Sequence, residues 1–315
     1  MNPLKTRPLR ASSSGLFLCC VLIAMKLTHS RAVVLMILVT LMWSMAGVVT
    51  RQLESARSFE VTFWRSLFTV LSLLLLLPFF QGRVVFSRIR HGGPALWVSG
   101  VCWGVMFTAF MVALTLTSVA NVLVTLAISP FVTALLARVF IGQRIPARTW
   151  LAIALAGVGI AWMYGGQMDL SNQLGGTLVA LLVPLAASSN WTLVQYSRLH
   201  GQKIDMVPAV LVGAAVSALV TLPLSLPFSA SPHDMALLAF LGLFQLAIPC
   251  VLSVLCAGVL KAPEVALLAL LEVIFGILLA WLGANEVPGA SVLTGGMLVI
   301  AALLINELIG WRQKS

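Results

Sequence analysis

Ten apolar segments, each about as long as a membrane-spanning helix, follow one another along this sequence with only short polar connections between them. A helix needs roughly 20 apolar residues to cross the hydrocarbon layer of a bilayer. The segments cover residues 32–50, 60–79, 95–114, 118–137, 148–165, 174–194, 208–228, 236–257, 264–283 and 290–308. Only 9% of the residues are charged, against roughly 25% in soluble domains. The sequence therefore predicts an all-α integral membrane protein with ten transmembrane helices.

The basic residues are distributed unevenly between the two sides of these predicted helices. If the N-terminus is cytoplasmic, 16 of the 19 Lys and Arg residues fall on the inner side, Arg51 and Arg57 fall outside, and Arg65 lies within a span. Cytoplasmic loops carry the excess of Lys and Arg in membrane proteins. We therefore predict a multi-pass protein of a bacterial-type inner membrane with both termini in the cytoplasm. Because the basic residues form no block or stripe, membrane lipids are expected partners and nucleic acid is not.

Two terminal segments lie outside the spans. Residues 1–31 form a basic N-terminal extension, and residues 309–315 form a cytoplasmic tail. The extension contains an apolar run at 15–25 that is too short to span and has the length of a signal-peptide core. Met25 is an alternative start, so the role of this extension stays open.

The ten segments divide into two groups of five, residues 32–165 and residues 166–308. Because five is odd, the second group enters the membrane from the opposite side, which is the condition for an inverted repeat. An offset of 143 residues aligns two stretches of the halves and places Ser129 opposite Glu272. The coincidence of polar positions in apolar sequence predicts two inverted five-helix repeats.

Short motifs occur in a characteristic order across the spans. They are FWR at 63–65, ISPF at 128–131, IGQR at 141–144, LLEV at 270–273 and ANEV at 284–287. In these motifs the chain resembles the EamA-type transporters of the drug/metabolite transporter superfamily, over about residues 32–308. The resemblance implies a secondary active transporter of small metabolites or amino-acid-like solutes, often an exporter, that works by alternating access.

Two positions depart from the pattern of that family. Gln143 stands where the family has a glutamate, so no acid is predicted there. Val273 stands where proline usually follows the acid of the ninth span, which predicts a straighter ninth helix than in the relatives.

Two charged residues lie inside apolar segments. Glu272 lies roughly 12 Å into the ninth span and Arg65 roughly 8 Å into the second, at the α-helical rise per residue. A charge at such depth costs several kcal/mol and needs a partner or, for an acid, a proton. Glu272 is either a proton-coupling or substrate-binding carboxylate or a neutral acid between helices. Arg65 either holds a substrate carboxylate, pairs with Glu272, caps carbonyl groups or reaches the outer headgroups.

Polar residues at steps of four mark one face of the ninth span. Glu264, Leu268 and Glu272 share that face. The matching face of the fourth span carries Asn121, Thr125 and Ser129. The two stripes predict a common polar cavity. For Glu264 the alternative is a structural role, because an acid after Pro263 suits the first turn of a helix.

Aromatic and amide side chains add further candidates for the cavity wall. Trp43, Trp191 and Tyr196 are candidates, although Trp and Tyr are also enriched at membrane interfaces, and Tyr196 fits that location best. Asn190 lies beside Trp191 within an apolar span, where its amide needs a partner.

Several functional classes lack their sequence signals. There is no phosphate-binding GxxxxGK[ST] motif, and the four histidines lie in connections or the N-terminal extension without metal-ligand spacing. We therefore predict no cofactor, no metal and no enzymatic activity, with a small solute and protons as the expected partners. The alternative is a non-transporting membrane protein, such as a lipid-handling component or an intramembrane enzyme, whose polar stripe faces lipid. The oligomeric state stays open.

Overall fold

The computed structural model describes residues 27–50, 52–56, 58–81, 84–117, 119–164, 174–201, 205–284 and 289–312, and the regular elements in those ranges are all helices. The helices of the first half are α1 His29–Thr50, α2 Ser58–Gln81, α3 Val84–His91, α4 Gly93–Leu116, α5 Val119–Leu126, α6 Ser129–Ile141 and α7 Ala147–Tyr164. The second half contains α8 Leu174–Leu199, α9 Pro208–Ser225, α10 Pro232–Phe240, the π-helix π1 Leu241–Ala247, α11 Ile248–Ala257, α12 Ala262–Ala269, α13 Leu271–Ala284 and α14 Ala290–Arg312.

Many of these helices are suited to a membrane. Within the described residues, seven helical segments are long and apolar enough to span it, and two of them, Pro232–Ala257 and Ala262–Leu279, are runs of consecutive helices. Three shorter apolar helices, Ser129–Ile141, Ala147–Met163 and Ala290–Asn306, lie in the fourth, fifth and tenth predicted spans. The structure thus confirms an all-α, multi-pass membrane protein, while the ten-helix inverted repeat stays a prediction.

The fourth and ninth predicted spans are each interrupted. The fourth divides into α5 and α6 at residues 127–128, two residues before Pro130. Proline has no N–H to bond the carbonyl four residues earlier, so an α-helix is interrupted at this point. The ninth divides into α12 and α13 at Leu270. Here the N–H groups of Leu270 and Val273 bond carbonyl groups three residues earlier, as in a 3₁₀ turn. A tight turn thus interrupts this helix although no proline lies at the turn, and whether the helix is straighter than in the relatives stays a prediction.

Close helix packing brings the two halves together. Helix α4 packs between α8 and α9, α1 packs against α11 and α13, and α2 packs against π1 and α9. Gly213 of α9 lies directly against Trp103 of α4, where a Cβ atom would overlap both the Trp103 side chain and the α4 backbone. The absence of a side chain at Gly213 therefore lets α4 and α9 approach closely enough to direct Trp103 inward.

Two buried carboxylates join connections at the end of the bundle that is predicted to be outside. Asp234, at the start of α10, accepts hydrogen bonds from the backbone N–H groups of residues 54–56 at 2.9–3.1 Å. Glu60, in the first turn of α2, accepts from those of residues 229–230 at 2.8–3.0 Å. Both carboxylates are fully buried. We call Glu60 and Asp234 the loop clamp, because each fixes a connection of the opposite half.

Asp234→Ala is expected to lower the free energy of unfolding by roughly 2–4 kcal/mol, because several backbone donors lose a charged acceptor at once. Thermal unfolding of the detergent-purified protein measures the change. Arg88→Gln is the control, since it removes a half-exposed ion pair of 3.0 Å with Asp205, worth about 1 kcal/mol or less. Equal melting temperatures for the two variants would contradict a stabilising role for the loop clamp.

Candidate functional site

A cavity of about 150 Å³ lies within the bundle, lined by helices of both halves. Arg65 of α2, Ser129 of α6 and Glu272 of α13 contribute its charged and hydroxyl groups. Its apolar wall combines aliphatic residues with five aromatic ones, Trp43, Trp103, Phe107, Phe110 and Trp191. The cavity thus combines one cation and one acid with a large aromatic surface.

Arg65 is only 2% exposed, and its guanidinium group is incompletely bonded by the protein. Its Nη2 donates to the carbonyl oxygen of Phe107 at 3.4 Å, which is a long hydrogen bond. Its Nε atom is buried and has no hydrogen-bond partner in the described part of the chain. A buried arginine keeps its charge, so the unused donor is available to an anionic group that enters the cavity.

The backbone around Arg65 is fixed by close contact with π1. A Cβ atom on Gly242 would come within 2.9 Å of the Arg65 carbonyl oxygen and of the Thr69 nitrogen. The single hydroxyl hydrogen of Thr69 is shared between the Arg65 carbonyl oxygen at 2.8 Å and the Gly242 carbonyl oxygen at 3.0 Å. Glycine at 242 therefore permits the contact that sets the position of Arg65 in the cavity wall.

Glu272 lies in the first turn of α13 and faces the same cavity. Its carboxylate interacts electrostatically with Arg65, but the two form no ion pair among the residues that the structure describes. A negative charge in the first turn of a helix is favoured by the helix dipole. The acid and the arginine are therefore close enough to influence each other, yet both remain open to a third charged group.

The polar stripes predicted for the fourth and ninth spans meet the cavity only in part. Ser129 and Glu272 line it, and the Ser129 carbonyl accepts hydrogen bonds from the hydroxyls of Thr133 and Ser188 at 2.7 and 3.1 Å. Thr125 is buried but does not line the cavity. The side chain of Asn121 is outside the described part of the structure.

Glu264 lies apart from the cavity, at the start of α12. Its Oε2 accepts a hydrogen bond from the Lys261 N–H at 3.1 Å and lies 3.3 Å from Nε2 of His29. These are the contacts of an acid at a helix N-terminus, the structural alternative for this residue. Glu264 connects α12 to the start of α1 instead of contributing to the cavity wall.

The remaining candidates occupy different positions. Trp43 and Trp191 line the cavity, and Trp191 packs edge-on against Trp103 at 5.6 Å between ring centroids. Asn190 is fully buried between α8 and α4, where its Oδ1 accepts from the Ser99 hydroxyl at 2.6 Å. Tyr196 lies outside the cavity and stacks on His200 at 3.9 Å. Trp43 and Trp191 thus share a cavity wall that Asn190 and Tyr196 do not reach.

Gln245 of π1 is a cavity residue that the sequence prediction missed. It is the one amide in the apolar run LGLFQLA, and this isolated polar residue was a usable signal. The aromatic residues Phe107 and Phe110 gave no such signal, because an apolar side chain facing a cavity has the same character as one facing lipid.

Contacts close the bundle at the end that is predicted to be cytoplasmic. The Gln195 side chain of α8 donates to that of Gln143 after α6, and accepts from the Ala262 N–H of α12 at 2.7 Å. Gln143 therefore bonds across the two halves. Within the described residues, no group of three or more His, Cys, Asp and Glu side chains is arranged to hold a metal ion.

Comparison with known proteins places these features in context. A model of the EamA-like transporter family matches residues 30–165. The pseudopaline exporter CntI of Pseudomonas aeruginosa is 27% identical over 249 residues, which are 78% of this chain and 84% of the exporter. The uncharacterized transporter YdfC of Bacillus subtilis is 25% identical over 193 residues, 60% of this chain and 62% of that protein. The chain of one crystal structure, 16% identical in sequence, superposes on this structure with a TM-score of 0.72. The superposition covers 90% of this chain and 99% of the chain in the crystal structure.

Proposed function

We propose that this chain, of which residues 30–165 match the EamA-like transporter family, is a secondary transporter that exports small amino-acid-like solutes by alternating access. The observation that carries the proposal is the cavity, in which Arg65 and Glu272 line one space together with aromatic and aliphatic side chains of both halves. A lipid-handling protein or an intramembrane enzyme would instead place its polar stripe at a groove on the lipid-facing surface. The position of both charges in the wall of one cavity lined by both halves favours transport.

The charges of the cavity favour a zwitterionic solute. Arg65 offers an unpaired buried donor that suits a carboxylate. Glu272 offers an acid that suits an ammonium group, and the Trp and Phe side chains suit an apolar or aromatic body. A compound that carries a carboxylate, an amine and an apolar body would satisfy all three parts of the wall. The exporter name of the Pseudomonas aeruginosa relative supports export as the direction.

The pairing of helices supports two inverted repeats of five spans, residues 32–165 and 166–308. In such a repeat, span 1 corresponds to span 6, span 2 to span 7, and so on, so a contact between two spans should recur between their counterparts. The contact of α4 (span 3) with α8 (span 6) recurs as the contact of α11 (span 8) with α1 (span 1). In the same way the α6–α8 contact recurs as α13–α1, and the α4–α9 contact as π1–α2. The interruptions at residues 127–128 and at Leu270 also lie at matching positions of the fourth and ninth spans. Discontinuous helices at matching positions of two halves are typical of transporter binding sites.

The charge distribution supports the membrane orientation that we propose. With both termini in the cytoplasm of a bacterial-type inner membrane, the contacts of Gln195 with Gln143 and Ala262 lie at the cytoplasmic end. These contacts close the cavity from that side. Opening them would admit solute from the cytoplasm, and proton binding and release at Glu272 would couple the change to the proton gradient.

Uptake of radiolabelled phenylalanine into preloaded proteoliposomes tests the proposal, because phenylalanine carries all three matching groups. Ala187→Trp places a large side chain in the cavity wall of α8 and is expected to reduce counterflow at least tenfold. Leu185→Trp is the matched control, because Leu185 is 49% exposed on the same helix, and it should transport normally. Equal flux through both variants would contradict transport through this cavity. Absence of counterflow in the wild type would argue against amino-acid-like solutes.

A further inference from the structure

The amide of Gln245 in the cavity wall is held in one orientation by a hydrogen bond to its nitrogen, while its oxygen has no partner among the described residues. The Gln245 side chain is 4% exposed, and its Nε2 donates to the Trp43 carbonyl oxygen at 3.4 Å. Because a carbonyl oxygen can accept only from the NH₂ group of the amide, this contact distinguishes the amide nitrogen from the amide oxygen. Within the described residues, Oε1 is buried and has no hydrogen-bond partner. An unsatisfied buried acceptor costs roughly 1–3 kcal/mol.

The backbone geometry explains how this side chain reaches the cavity. Gln245 lies in π1, where each turn contains an extra residue, and such turns occur often at functional sites. The π-helix is positioned against α2 through Gly242, whose carbonyl accepts from the Thr69 hydroxyl at 3.0 Å. The contact between Gly242 and α2 therefore positions the backbone at Arg65 and also orients the helix that carries Gln245. Arg65 and Gln245 are positioned together as two parts of one wall.

We propose that Gln245 is a specificity-determining residue whose Oε1 accepts a hydrogen bond from an N–H donor of the transported solute. This inference rests on the proposed function and extends it to a residue outside the charged pair. Arg65 offers only donors, so it binds a carboxylate and cannot recognise an amine. Glu272 accepts as well, but a neutral amide accepts from an ammonium group without adding a second buried charge. Gln245 thus lets the cavity select solutes that carry an amine in addition to a carboxylate.

Three probes that share a phenyl body separate the two recognition steps. Phenylalanine carries both groups, phenethylamine only the amine, and 3-phenylpropionate only the carboxylate. Dissociation constants are measured on the purified wild type and on Gln245→Leu, which replaces the amide with an apolar side chain of similar size. Gln245→Leu is expected to weaken phenylalanine and phenethylamine about tenfold and to leave 3-phenylpropionate within about twofold. Gln245→Glu keeps an acceptor and should retain the binding of both amines.

A matched amide variant controls for general destabilisation. Asn306 of α14 is also buried, but its Oδ1 accepts from the Thr149 hydroxyl at 3.1 Å, and it does not line the cavity. Asn306→Leu should leave the ranking of the three probes unchanged. Equal weakening of all three probes by Gln245→Leu, or no weakening of any, would overturn the role of Gln245. If the wild type bound none of the probes, the proposed amino-acid-like substrate class would itself be wrong, and this inference with it.

Discussion

Arg65→Met is expected to weaken phenylalanine binding at least 100-fold while the protein remains folded. The variant removes the cation that would hold the carboxylate, and a charged bond of this kind accounts for about 3 kcal/mol at 1.4 kcal/mol per tenfold. The melting temperature should stay constant or rise, because an incompletely paired buried charge is replaced by an apolar side chain of similar length. Isothermal titration and thermal unfolding on the same preparation measure both effects.

Two comparisons make the Arg65 result specific. Phenethylamine has no carboxylate, so its affinity for Arg65→Met should fall less than that of phenylalanine. Arg88→Gln removes an arginine of α3 that is far from the cavity wall and pairs with Asp205, and it should bind phenylalanine normally. An unchanged affinity for phenylalanine in Arg65→Met would eliminate Arg65 as the carboxylate site.

Glu272→Gln is expected to abolish transport driven by a pH gradient while solute counterflow continues. The amide resembles the protonated acid in size and hydrogen bonding, but it cannot release or take up a proton. Proteoliposomes with an imposed pH gradient should therefore accumulate label at least tenfold more slowly than those with wild-type protein. Exchange of labelled for unlabelled solute needs no net proton movement, and the amide oxygen still accepts from an ammonium group, so this exchange should fall less than the driven flux.

Glu264→Gln is the control for the coupling experiment. This acid lies at the start of α12, bonded to the Lys261 N–H and close to His29, outside the cavity. Its replacement should leave the pH-gradient-driven flux largely intact. Undiminished driven flux in Glu272→Gln would remove Glu272 from the coupling role and leave it as an acid of the binding wall.

The sequence predicted the helical membrane fold because apolar length is a direct requirement of the bilayer. It also singled out Arg65 and Glu272, since a charge within an apolar segment carries a cost that needs an explanation. The structure brings these two residues, which are distant in sequence, to one cavity. Their approach depends on how α2 packs against π1 and α9 and how α13 packs against α1. A sequence pattern shows that such a charge needs a partner, but it does not identify the partner.

Other features depend on tertiary contacts that no local pattern specifies. The interruption at residues 127–128 had a visible cause in Pro130, whereas the one at Leu270 has none in the sequence. The π-helix at 241–247, which contacts α2 closely at Gly242, likewise has no cause visible in the sequence. The wall residue Phe107 could not be recognised, because α4 is apolar on all sides and its sequence does not distinguish cavity from lipid. Gln245 could have been recognised as a lone amide in an apolar segment.

The loop clamp has a consequence for the conformational cycle. Glu60 and Asp234 each bind several N–H groups of the opposite half, so α2 and α10 are fastened together at their outer ends. A hinge at this position would let the halves rotate without separating there. In the proposed alternating-access cycle, outward opening would then be asymmetric, with the exit gap forming away from the loop clamp.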